Sequence, residues 1–548
     1  MASKYAWYQS AIFYEVPIRA FMDGNGDGIG DLPGLTQKLD YIKDLGVDCV
    51  WILPHFPSPL ADDGYDISDY YNIHPDYGTL DDFKALVKGV HERGMRILID
   101  LVLNHTSDQH EWFREARSSK NSPYRDYYVW SDTDQRYQDA RIIFLDTESS
   151  NWSWDEDSQQ YYWHRFYSSQ PDLNYDNPAV VTEMLKVADF WLDLGVDGFR
   201  ADAVPYLYER EGTNCENLDE THAFLKKLRK FMDDKYPGTI ILSEANQWPE
   251  DVRPYFADGN EVHMNFHFPL MPRIFMALKG GNIQPVVDIL ERTPEIPDNC
   301  QWCTFLRNHD ELTLEMVTPE ERDWMWQEYA PEKRMRLNLG IRRRLAPLLE
   351  NNKQKIMLAF SLLFTLPGTP VIYYGDEIGM GDNIQLPDRD GVRTPMQWNT
   401  GKNAGFSLAS AEELYSPLIN SQNYNPNMVN VDDQTEDPNS LLSIIKRLIE
   451  ARKQIAVLSS NQFKWAEVSG KNLGVAAYWR RSAQDNLLAV NNLSATTQNI
   501  NIQIPEELPN PPYDIFHDKE FSLSPNNTLV LTLSPYQYFW FYWKQEPQ

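Results

Sequence analysis

The sequence predicts an α/β protein: a closed (β/α)8 TIM barrel with an irregular subdomain inserted after strand 3 and a C-terminal antiparallel β-sandwich domain. About eight short apolar runs alternate with stretches of helical periodicity, which is typical of βα units. The runs are continuously apolar, as expected for parallel strands that are buried on both faces. A doubly wound open sheet is the alternative, but no G-x-G-x-x-G follows the first run, so its dinucleotide-binding form has no support.

The apolar runs are predicted to form the barrel strands in chain order. They are AIFYEVP (11–17), VDCVWILP (47–54), MRILIDLVL (95–103), DGFRADAV (197–204), TIILSE (239–244) and the less regular HMNFHF (263–268), CTFL (303–306) and TPVIYY (369–374). The clearest predicted helices are LTQKLDYIKDLG (35–46), LDDFKALVKGVHERG (80–94), VVTEMLKVADFWLDLG (180–195), ETHAFLKKLRKFMDDKY (220–236) and IMLAFSLLFTL (356–366). The last of these is too short to span a bilayer and is interpreted as a buried helix.

Two regions depart from this alternation and define the domain boundaries. Residues 105–173 lack helical periodicity and are rich in Tyr, Trp, Asp and Ser, which predicts the inserted subdomain. From residue 463 the pattern changes to short alternating runs such as LGVAAYWRR and NTLVLTL, which are typical of antiparallel strands. The predicted domains are therefore the barrel at 1–104 and 174–462, the inserted subdomain at 105–173 and the β-sandwich at 463–548. The Asn/Asp-rich stretch 419–437 is predicted to be a barrel loop.

Composition narrows the class of partner. The formal net charge of -30 argues against nucleic acid and anionic membranes, both of which need a basic surface. Aromatic residues make up 13% of the chain. Packing in the core accounts for this proportion, and stacking against sugar rings is the alternative. Four cysteines are too few for a disulfide scaffold, and no signal peptide is evident, so a cytoplasmic location is predicted. A homo-oligomer is compatible with all of this.

Polar side chains occur at the C-terminal ends of several predicted strands, where barrel enzymes place their active sites. They are Asp100, Asn104 and His105 on the third strand, Arg200 and Asp202 on the fourth, Glu244 on the fifth, and His309 and Asp310 after the seventh. Any one of them alone is best interpreted as a capping or ion-pairing residue. Because each uncompensated buried charge is costly, their shared position favours one active site instead.

The pattern of these carboxylates predicts glycoside cleavage, which needs two carboxyl groups that flank the bond. Asp202 suits the nucleophile, because Arg200 two residues earlier favours its ionised form. Glu244 suits the acid, because it ends an apolar run with no Arg or Lys in its own strand, so its pKa should be raised.

Four stretches resemble the signature regions of the α-amylase superfamily, glycoside hydrolase family 13: DLVLNH (100–105), GFRADAV (198–204), SEAN (243–246) and FLRNHD (305–310). The resemblance implies that Asp202 is the nucleophile, Glu244 the acid/base and Asp310 the transition-state stabiliser. It also implies substrate contacts from Asp62, Tyr65, His105, Phe166, Arg200, His309 and Arg393. At Ala201 the family usually has a larger aliphatic residue, which should alter the packing behind the nucleophile.

Further stretches resemble the trehalose synthases of this family, among them YEREGTNCENLDETH (208–222) and YYGDEIGMGDNIQLPDRDGVRTPMQW (373–398). This resemblance implies isomerisation of maltose to trehalose through a covalent glucosyl–Asp202 intermediate, with minor hydrolysis to glucose. It places Gln247, Glu311 and Glu315 around the acceptor glucose, although solvated loop acids are the alternative for the two glutamates. An α-glucosidase or oligo-1,6-glucosidase, and a sugar-binding protein without catalysis, are the alternative functions.

The loop DGNGDGIGD (23–31) predicts a structural calcium site. Asp23, Asn25, Asp27, the Ile29 carbonyl and Asp31 match alternate ligand positions of an EF-hand-like loop, but Gly34 stands where the bidentate Glu would be. An Asp/Gly turn without metal is the alternative. A second calcium site is implied by the resemblance and would use Asn104, Asp172, the carbonyls of Tyr206 and Leu207, and Glu209. No organic cofactor is expected.

Overall fold

A computed structural model describes residues 5–482, 485–508 and 511–544, and it confirms the predicted barrel. Eight parallel strands, β1 to β8, close in chain order, and Phe13 on β1 pairs with both Cys49 on β2 and Val371 on β8. The strands are β1 (Phe13–Val16), β2 (Cys49–Ile52), β3 (Arg96–Val102), β4 (Gly198–Asp202), β5 (Ile240–Ser243), β6 (Met264–Phe266), β7 (Gln301–Phe305) and β8 (Thr369–Tyr373). The predicted ranges 1–104 and 463–548 extend beyond the described residues at 1–4, 483–484, 509–510 and 545–548.

Helices surround the barrel. Outside the insertion they are Trp7–Ser10, Ile18–Phe21, Leu32–Gln37, Leu39–Leu45, Leu80–Glu92, Pro178–Asp193, Asp219–Lys235, Pro249–Val252, Leu270–Gly280, Gln284–Arg292, Pro319–Tyr329, Leu345–Leu348, Lys353–Thr365, Val431–Glu436 and Leu441–Gln454. The single helix predicted at 35–46 is two helices, because Lys38 leaves the helical conformation with φ -97° and ψ 4°. Gly46 then ends the second helix in the left-handed conformation, φ 97°. The stretch 419–437 is not only loop, since Asn430 caps a short helix within it.

The inserted subdomain is more regular than the sequence predicts. It contains the helix Glu111–Ser118 and an antiparallel sheet of Trp130–Ser131, Gln160–Trp163 and Trp152–Asp155. Its strands are two to four residues long, too short to show a clear period of two in the sequence. Buried Trp152 and Trp163 form its core, and a bridge between His105 and Asp172 ties it to the end of β3.

The C-terminal domain consists of antiparallel sheets, as predicted. One sheet has Lys464–Trp465, Val475–Arg481, Asp485–Asn492, Tyr538–Lys544, Tyr513–Asp514 and Lys519–Glu520, and a second pairs Gln498–Gln503 with Thr528–Leu533. Alternate residues of Thr528–Leu533 are buried against a small apolar core shared by the two sheets. Between residues 5 and 544, as far as they are described, no helix has the length and apolarity needed to cross a membrane. The four cysteines are free thiols and buried.

Candidate active site

The C-terminal ends of the barrel strands open into one pocket that the inserted subdomain helps to cover. Strand ends and their following loops supply the polar wall, and residues of the insertion supply an aromatic wall. The lining residues are Asp62, Tyr65, His105, Ile143, Phe144, Phe166, Asp202, Ala203, Tyr206, Glu244, Asn246, Phe268, Asn308, Asp310, Glu311, Thr313, Glu315, Asn338 and Arg389. The structure therefore brings together most of the residues that the sequence singles out, while Arg200, Gln247, His309 and Arg393 lie behind this lining.

Arg200 is the shared cation of the carboxylate cluster. Its side chain is buried, and its Nη1 donates to Asp100 Oδ1 at 2.7 Å and to the carboxylate of Asp202. Its Nη2 lies 2.9 Å from Glu244 Oε1. Glu244 has no cation on its own strand, as the sequence shows, but it receives one from the neighbouring strand. Ala201, between Arg200 and Asp202, is completely buried on the opposite face of β4.

Burial raises the pKa of both catalytic candidates, Asp202 and Glu244. It raises the pKa of Asp202 to about 6, although Arg200 opposes the shift. It raises the pKa of Glu244 to about 7, again against Arg200 and with help from the charge of Asp202. Arg200 thus favours ionised Asp202, as predicted from the sequence, but burial has the larger effect. A raised pKa lets Glu244 carry a proton near neutral pH, as the acid of a retaining mechanism must.

The residue after Asp202 has an unusual backbone. Ala203 adopts the left-handed conformation, with φ 51° and ψ 34°, which costs a residue with a Cβ atom roughly 1 kcal/mol or more. In this conformation its N–H donates to Glu244 Oε2 at 3.3 Å. The strained turn therefore links the nucleophile candidate on β4 to the acid candidate after β5.

Asp310 is held by three cations. His309 Nε2 lies 3.1 Å from Asp310 Oδ2, while Arg389 Nη1 and Arg393 Nη2 lie 2.8 and 3.2 Å from Oδ1. Burial raises the pKa of Asp310, but His309 and the two arginines outweigh it and hold the pKa well below its usual range. Asp310 is therefore a permanent anion at the pocket wall.

Arg389 is a candidate substrate contact that the sequence analysis did not name, and the contact predicted for Arg393 stays a prediction. Arg389 lines the pocket and lies 3.5 Å from Asp62 Oδ1, whereas Arg393 lies behind it, with Nη1 2.9 Å from Asp63 and Nε donating to the His309 carbonyl. Both arginines lie in the stretch 373–398 that carries the resemblance, so spacing along one loop did not reveal which of them faces the pocket. Burial raises the pKa of Asp62 to about 6, opposed by Arg389.

The wall nearest the insertion is aromatic. The ring centroid of Phe166 lies 5.2 Å from that of His105, 5.5 Å from that of Phe144 and 5.7 Å from that of Tyr206. Burial lowers the pKa of His105 to about 3, so its imidazole is neutral. On the other side, the Tyr65 ring stacks on His309 at 5.4 Å. Flat apolar faces beside hydrogen-bonding groups suit a sugar ring.

Glu315 of the pocket lining belongs to an ion-pair network that the sequence analysis missed. Arg141, from the insertion, places Nη1 2.6 Å from Glu315 Oε2 and Nε 2.8 Å from Glu216 Oε1. Because Glu315 follows β7, this pair connects the insertion to the barrel across the pocket. Glu311 also lines the pocket, and burial raises its pKa. Arg141 lies in a stretch without periodicity, so no sequence signal marked it.

Gln247, which the resemblance places around the acceptor glucose, is not among the residues that line the pocket. Its amide nitrogen donates to Glu216 Oε2 at 3.1 Å, and its amide oxygen accepts from Asn217. The preceding residue, Asn246, lines the pocket instead. The amide nitrogen of Asn246 donates to Thr313 Oγ1 at 3.2 Å, and its buried oxygen accepts no hydrogen bond from the described residues.

The two calcium predictions meet different surroundings. In the loop 23–31 each carboxylate oxygen of Asp23 and Asp31 already accepts at least one hydrogen bond, for example from Gly28 N at 2.8 Å and Gly34 N at 2.6 Å. The side-chain oxygens of Asn25 and Asp27 likewise accept backbone N–H groups. A carboxylate oxygen that accepts one N–H group keeps a lone pair for a cation, so calcium in this loop stays a prediction.

The second set has free oxygen atoms. Asn104 Oδ1, Asp172 Oδ2 and Glu209 Oε1 are buried and accept no hydrogen bond from the described residues. Burial raises the pKa of Asp172 to about 8, and burial together with Asp172 raises that of Glu209 well above its usual range. Across the described ranges no group of three or more His, Cys, Asp or Glu side chains could hold a metal ion, so a cation here would also need the Asn104 amide and backbone carbonyls.

Comparison with known proteins identifies the family. Residues 16–461 match the family described as "Alpha amylase, catalytic domain", and residues 467–540 match "Maltogenic Amylase, C-terminal domain". The chain is 56% identical to "Trehalose synthase/amylase TreS" of Mycolicibacterium smegmatis, over 98% of this chain and 92% of the relative. It is 53% identical to "Trehalose synthase" of Pimelobacter sp., over 98% of this chain and 95% of the relative.

A solved structure shares the whole architecture. The crystal structure of an α-amylase from H. orenii superposes with a TM-score of 0.79 at 31% sequence identity, covering 98% of this chain and 99% of that chain. The closed barrel and the two matched ranges identify the same family. The chain belongs to the α-amylase family, glycoside hydrolase family 13.

Proposed function

We propose that the protein isomerises maltose to trehalose by intramolecular transglucosylation, with free glucose as a minor product. The observation that carries the proposal is the grouping of Asp202, Glu244 and Asp310 in one covered pocket, with Arg200 between the first two. The printed names of the relatives at 56% and 53% identity support the same reaction.

The chemistry follows a retaining double displacement. The Asp202 carboxylate attacks the anomeric carbon of the non-reducing glucose and forms a glycosyl ester, while Glu244 gives its proton to the departing O4. The released glucose turns within the pocket and presents its anomeric hydroxyl. Glu244, now a carboxylate, takes that proton as the oxygen attacks the same carbon and the bond to Asp202 breaks. Two inversions leave an α,α-1,1 linkage, and Asp310 holds hydroxyls of the distorted ring.

Isomerisation exceeds hydrolysis only if water is excluded while glucose turns. The Arg141–Glu315 ion pair supports this step, because it joins the insertion to the barrel beside the acceptor end of the pocket. Glu315→Gln should raise the ratio of glucose to trehalose several-fold while maltose consumption falls less. Lys84→Gln is a control for the loss of an ion pair that does not involve the pocket. Lys84 pairs with Asp81 on the exposed surface of the helix Leu80–Glu92. An unchanged product ratio in the Glu315 variant would count against the retention role.

One assay separates the proposal from its alternatives. The protein is incubated with maltose, and the anomeric protons of the products are followed by NMR. Trehalose as the main product supports isomerisation, and glucose alone supports an α-glucosidase or oligo-1,6-glucosidase. Unchanged maltose would support a sugar-binding protein and overturn both. The hydrolase is the second candidate because the M. smegmatis relative also carries the name amylase.

Structural calcium is a further part of the proposal. The residues that would hold it are Asn104, Asp172 and Glu209, whose unpartnered oxygen atoms suit a hard cation, together with the carbonyls of Tyr206 and Leu207. Bound there, calcium would neutralise two buried carboxylates and join the insertion to the barrel. A second ion in the loop 23–31 stays a prediction. A cytoplasmic location is supported by four unpaired thiols.

A further inference from the structure

We propose that Glu15, on β1 and outside the pocket, is a positioning residue that keeps His309 doubly protonated and thereby keeps Asp310 fixed for substrate. Glu15 is not among the residues that line the pocket, so it acts through His309 and does not touch the sugar. The inference rests on the proposed function only for the role of Asp310, and its main readout is independent of the product formed.

The geometry leaves His309 with a carboxylate on each side. Glu15 Oε1 lies 2.5 Å from His309 Nδ1 and also accepts the backbone N–H of His309 at 3.1 Å. On the other side, Nε2 lies 3.1 Å from Asp310 Oδ2 and 2.9 Å from the Tyr65 hydroxyl. Because a carboxylate accepts but does not donate, a proton on each ring nitrogen satisfies both contacts. Glu15 and His309 are 0% and 1% exposed, so these bonds form in a low dielectric.

The ring is held in place by more than these bonds. The Tyr65 ring stacks on the His309 ring with an interplanar angle of 10°. The Trp51 ring meets the His309 ring edge-on, with 6.0 Å between the ring centroids. The backbone bond to Glu15 fixes the chain on the remaining side. With the ring plane set in this way, Nε2 can be directed only toward Asp310 and the Tyr65 hydroxyl.

The surrounding charges agree with an imidazolium. Burial lowers the pKa of His309, but Asp310 and Glu15 outweigh it and raise the pKa to about 9. The other titratable or charged groups that act on His309, Glu15 or Asp310 are Asp63 and Tyr65 after β2, Asp100 on β3, Asp202 on β4, Glu244 after β5, Cys303 on β7, Arg307 and Glu311 after it, Tyr373 on β8, and Arg389 and Arg393 beyond β8. Arg389 and Arg393 contact Asp62, Asp63 and Asp310, and Arg307 donates to backbone carbonyls, which leaves Glu15 as the charge that faces Nδ1.

The test is Glu15→Gln, which keeps the shape and an acceptor for Nδ1 but removes the charge. In protein labelled with 15N-histidine, the His309 signals are assigned by their loss in His309→Gln and titrated without substrate. We expect wild-type His309 to lose its proton near pH 9 and the variant to lose it at least about one pH unit lower. The same titration midpoint in both proteins would overturn the proposal.

Turnover gives a second readout, counted as the sum of trehalose and glucose so that it serves an isomerase or a hydrolase equally. Because the titration of Glu244 affects both proteins alike, the ratio of variant to wild-type kcat isolates His309. This ratio should fall about fivefold or more between pH 6.5 and pH 9, while KM changes less. In a His309→Gln background, Glu15→Gln should have no further effect on kcat, and additive losses would contradict action through His309.

Glu377→Gln is the matched control. Glu377 is also completely buried near β1, and it accepts hydrogen bonds from Tyr14 at 2.8 Å and Tyr41 at 2.6 Å instead of facing His309. It should leave the His309 titration unchanged. If Glu15→Gln does not fold, the wild-type titration still decides, because a His309 that is neutral at pH 7.5 contradicts the proposal. If His309 loses its proton near pH 9 but maltose is not isomerised, the result would count against the proposed function alone.

Discussion

The protein buries arginines in two contrasting ways. At the catalytic end of the barrel, Arg200 is shared among three carboxylates. At the junction between the barrel and the C-terminal domain, Arg452 and Arg480 are buried side chains whose hydrogen bonds all go to backbone carbonyls. Among the described residues, no carboxylate lies within ion-pair distance of either one.

Two of the carbonyls at the junction, those of Phe364 and Thr365, lie at the C-terminal end of the helix Lys353–Thr365. Arg452 donates to Phe364 and, at 2.9 Å, to Gly368, and Arg480 donates to Thr365 at 2.6 Å. Two cations at the C-terminal end of the helix Lys353–Thr365 complement its dipole and satisfy carbonyls that have no intrahelical partner. Arg200, by contrast, lowers the pKa of Asp202 and of Glu244, and Glu244 is the group that exchanges a proton in the proposed reaction. A cation bonded to carbonyls supports structure, whereas one shared by carboxylates also regulates proton transfer.

Removing Arg200 should produce the largest effect. In Arg200→Met, Asp100, Asp202 and Glu244 remain together without their cation, so the pKa of each rises and Asp202 is ionised less. We expect kcat to fall by about 10³-fold or more, in line with the loss of electrostatic preorganisation. Steady-state kinetics with maltose measures this, and circular dichroism checks the fold. A variant with more than about a tenth of the wild-type kcat would remove the distinction between the two arginine sites.

Removing Arg452 should instead affect stability. Arg452→Met leaves carbonyls of Phe364, Gly368 and Leu458 without this donor, and the loss exceeds the relief of the buried charge. We expect the free energy of unfolding to fall by about 2–3 kcal/mol, measured by urea denaturation. Per folded molecule, kcat should equal that of the wild type. A lowered kcat with unchanged stability would reverse the assignment.

The pH dependence of the wild-type protein tests the catalytic half of the comparison. The proposed mechanism requires ionised Asp202 and protonated Glu244, whose pKa values burial raises to about 6 and about 7. The rate should therefore rise as pH increases through about 6 and fall as it increases through about 7. Because Arg200 couples the two acids, the apparent pKa values of kcat/KM belong to the pair. A profile that is flat from pH 5 to pH 9 would exclude these two roles.

Calcium removal should have the smallest effect. The cluster of Asn104, Asp172 and Glu209 contains buried oxygen atoms that accept no hydrogen bond from a cationic side chain. It therefore differs from both arginine sites. Chelation should lower the Tm by about 2–5 °C, as expected for loss of a ligand bound well above its dissociation constant. Scanning calorimetry with and without chelator measures it. Asp172→Asn should abolish the chelator effect, whereas Asp27→Asn should keep it if the loop 23–31 holds no ion.

The barrel was predictable because its strands are buried on both faces and their sequences are continuously apolar. All eight structural strands overlap the predicted runs, and Glu244 lies one residue beyond the end of β5. The elements that the sequence did not reveal are short or set by tertiary contacts. The interruption at Lys38 is one example. The Lys38 ammonium group lies 4.0 Å from the centroid of the Trp398 ring, which is a contact between residues far apart in the sequence.

The candidate site was predictable where a residue is attached to a strand end and less so where it depends on a loop. Asp202 and Glu244 follow from strand position, and their proximity requires only a closed barrel. Arg389 and Asn246 line the pocket, whereas the sequence singled out Arg393 and Gln247, because only the path of the loop decides which side chain faces inward. Arg141 depends on the fold of the inserted subdomain, which has little periodicity in the sequence.

The contact between Glu15 and His309 also has a consequence for biosynthesis. The two residues are 294 positions apart, so at ~5–20 residues per second roughly 15–60 seconds pass between their synthesis on the ribosome. During that interval β1 is present while its barrel neighbour β8 is not yet made, and its open edge is exposed to other chains. Barrel closure and completion of the carboxylate–imidazolium pair are therefore late events of nascent-chain folding, and a chaperone that shields β1 would protect both.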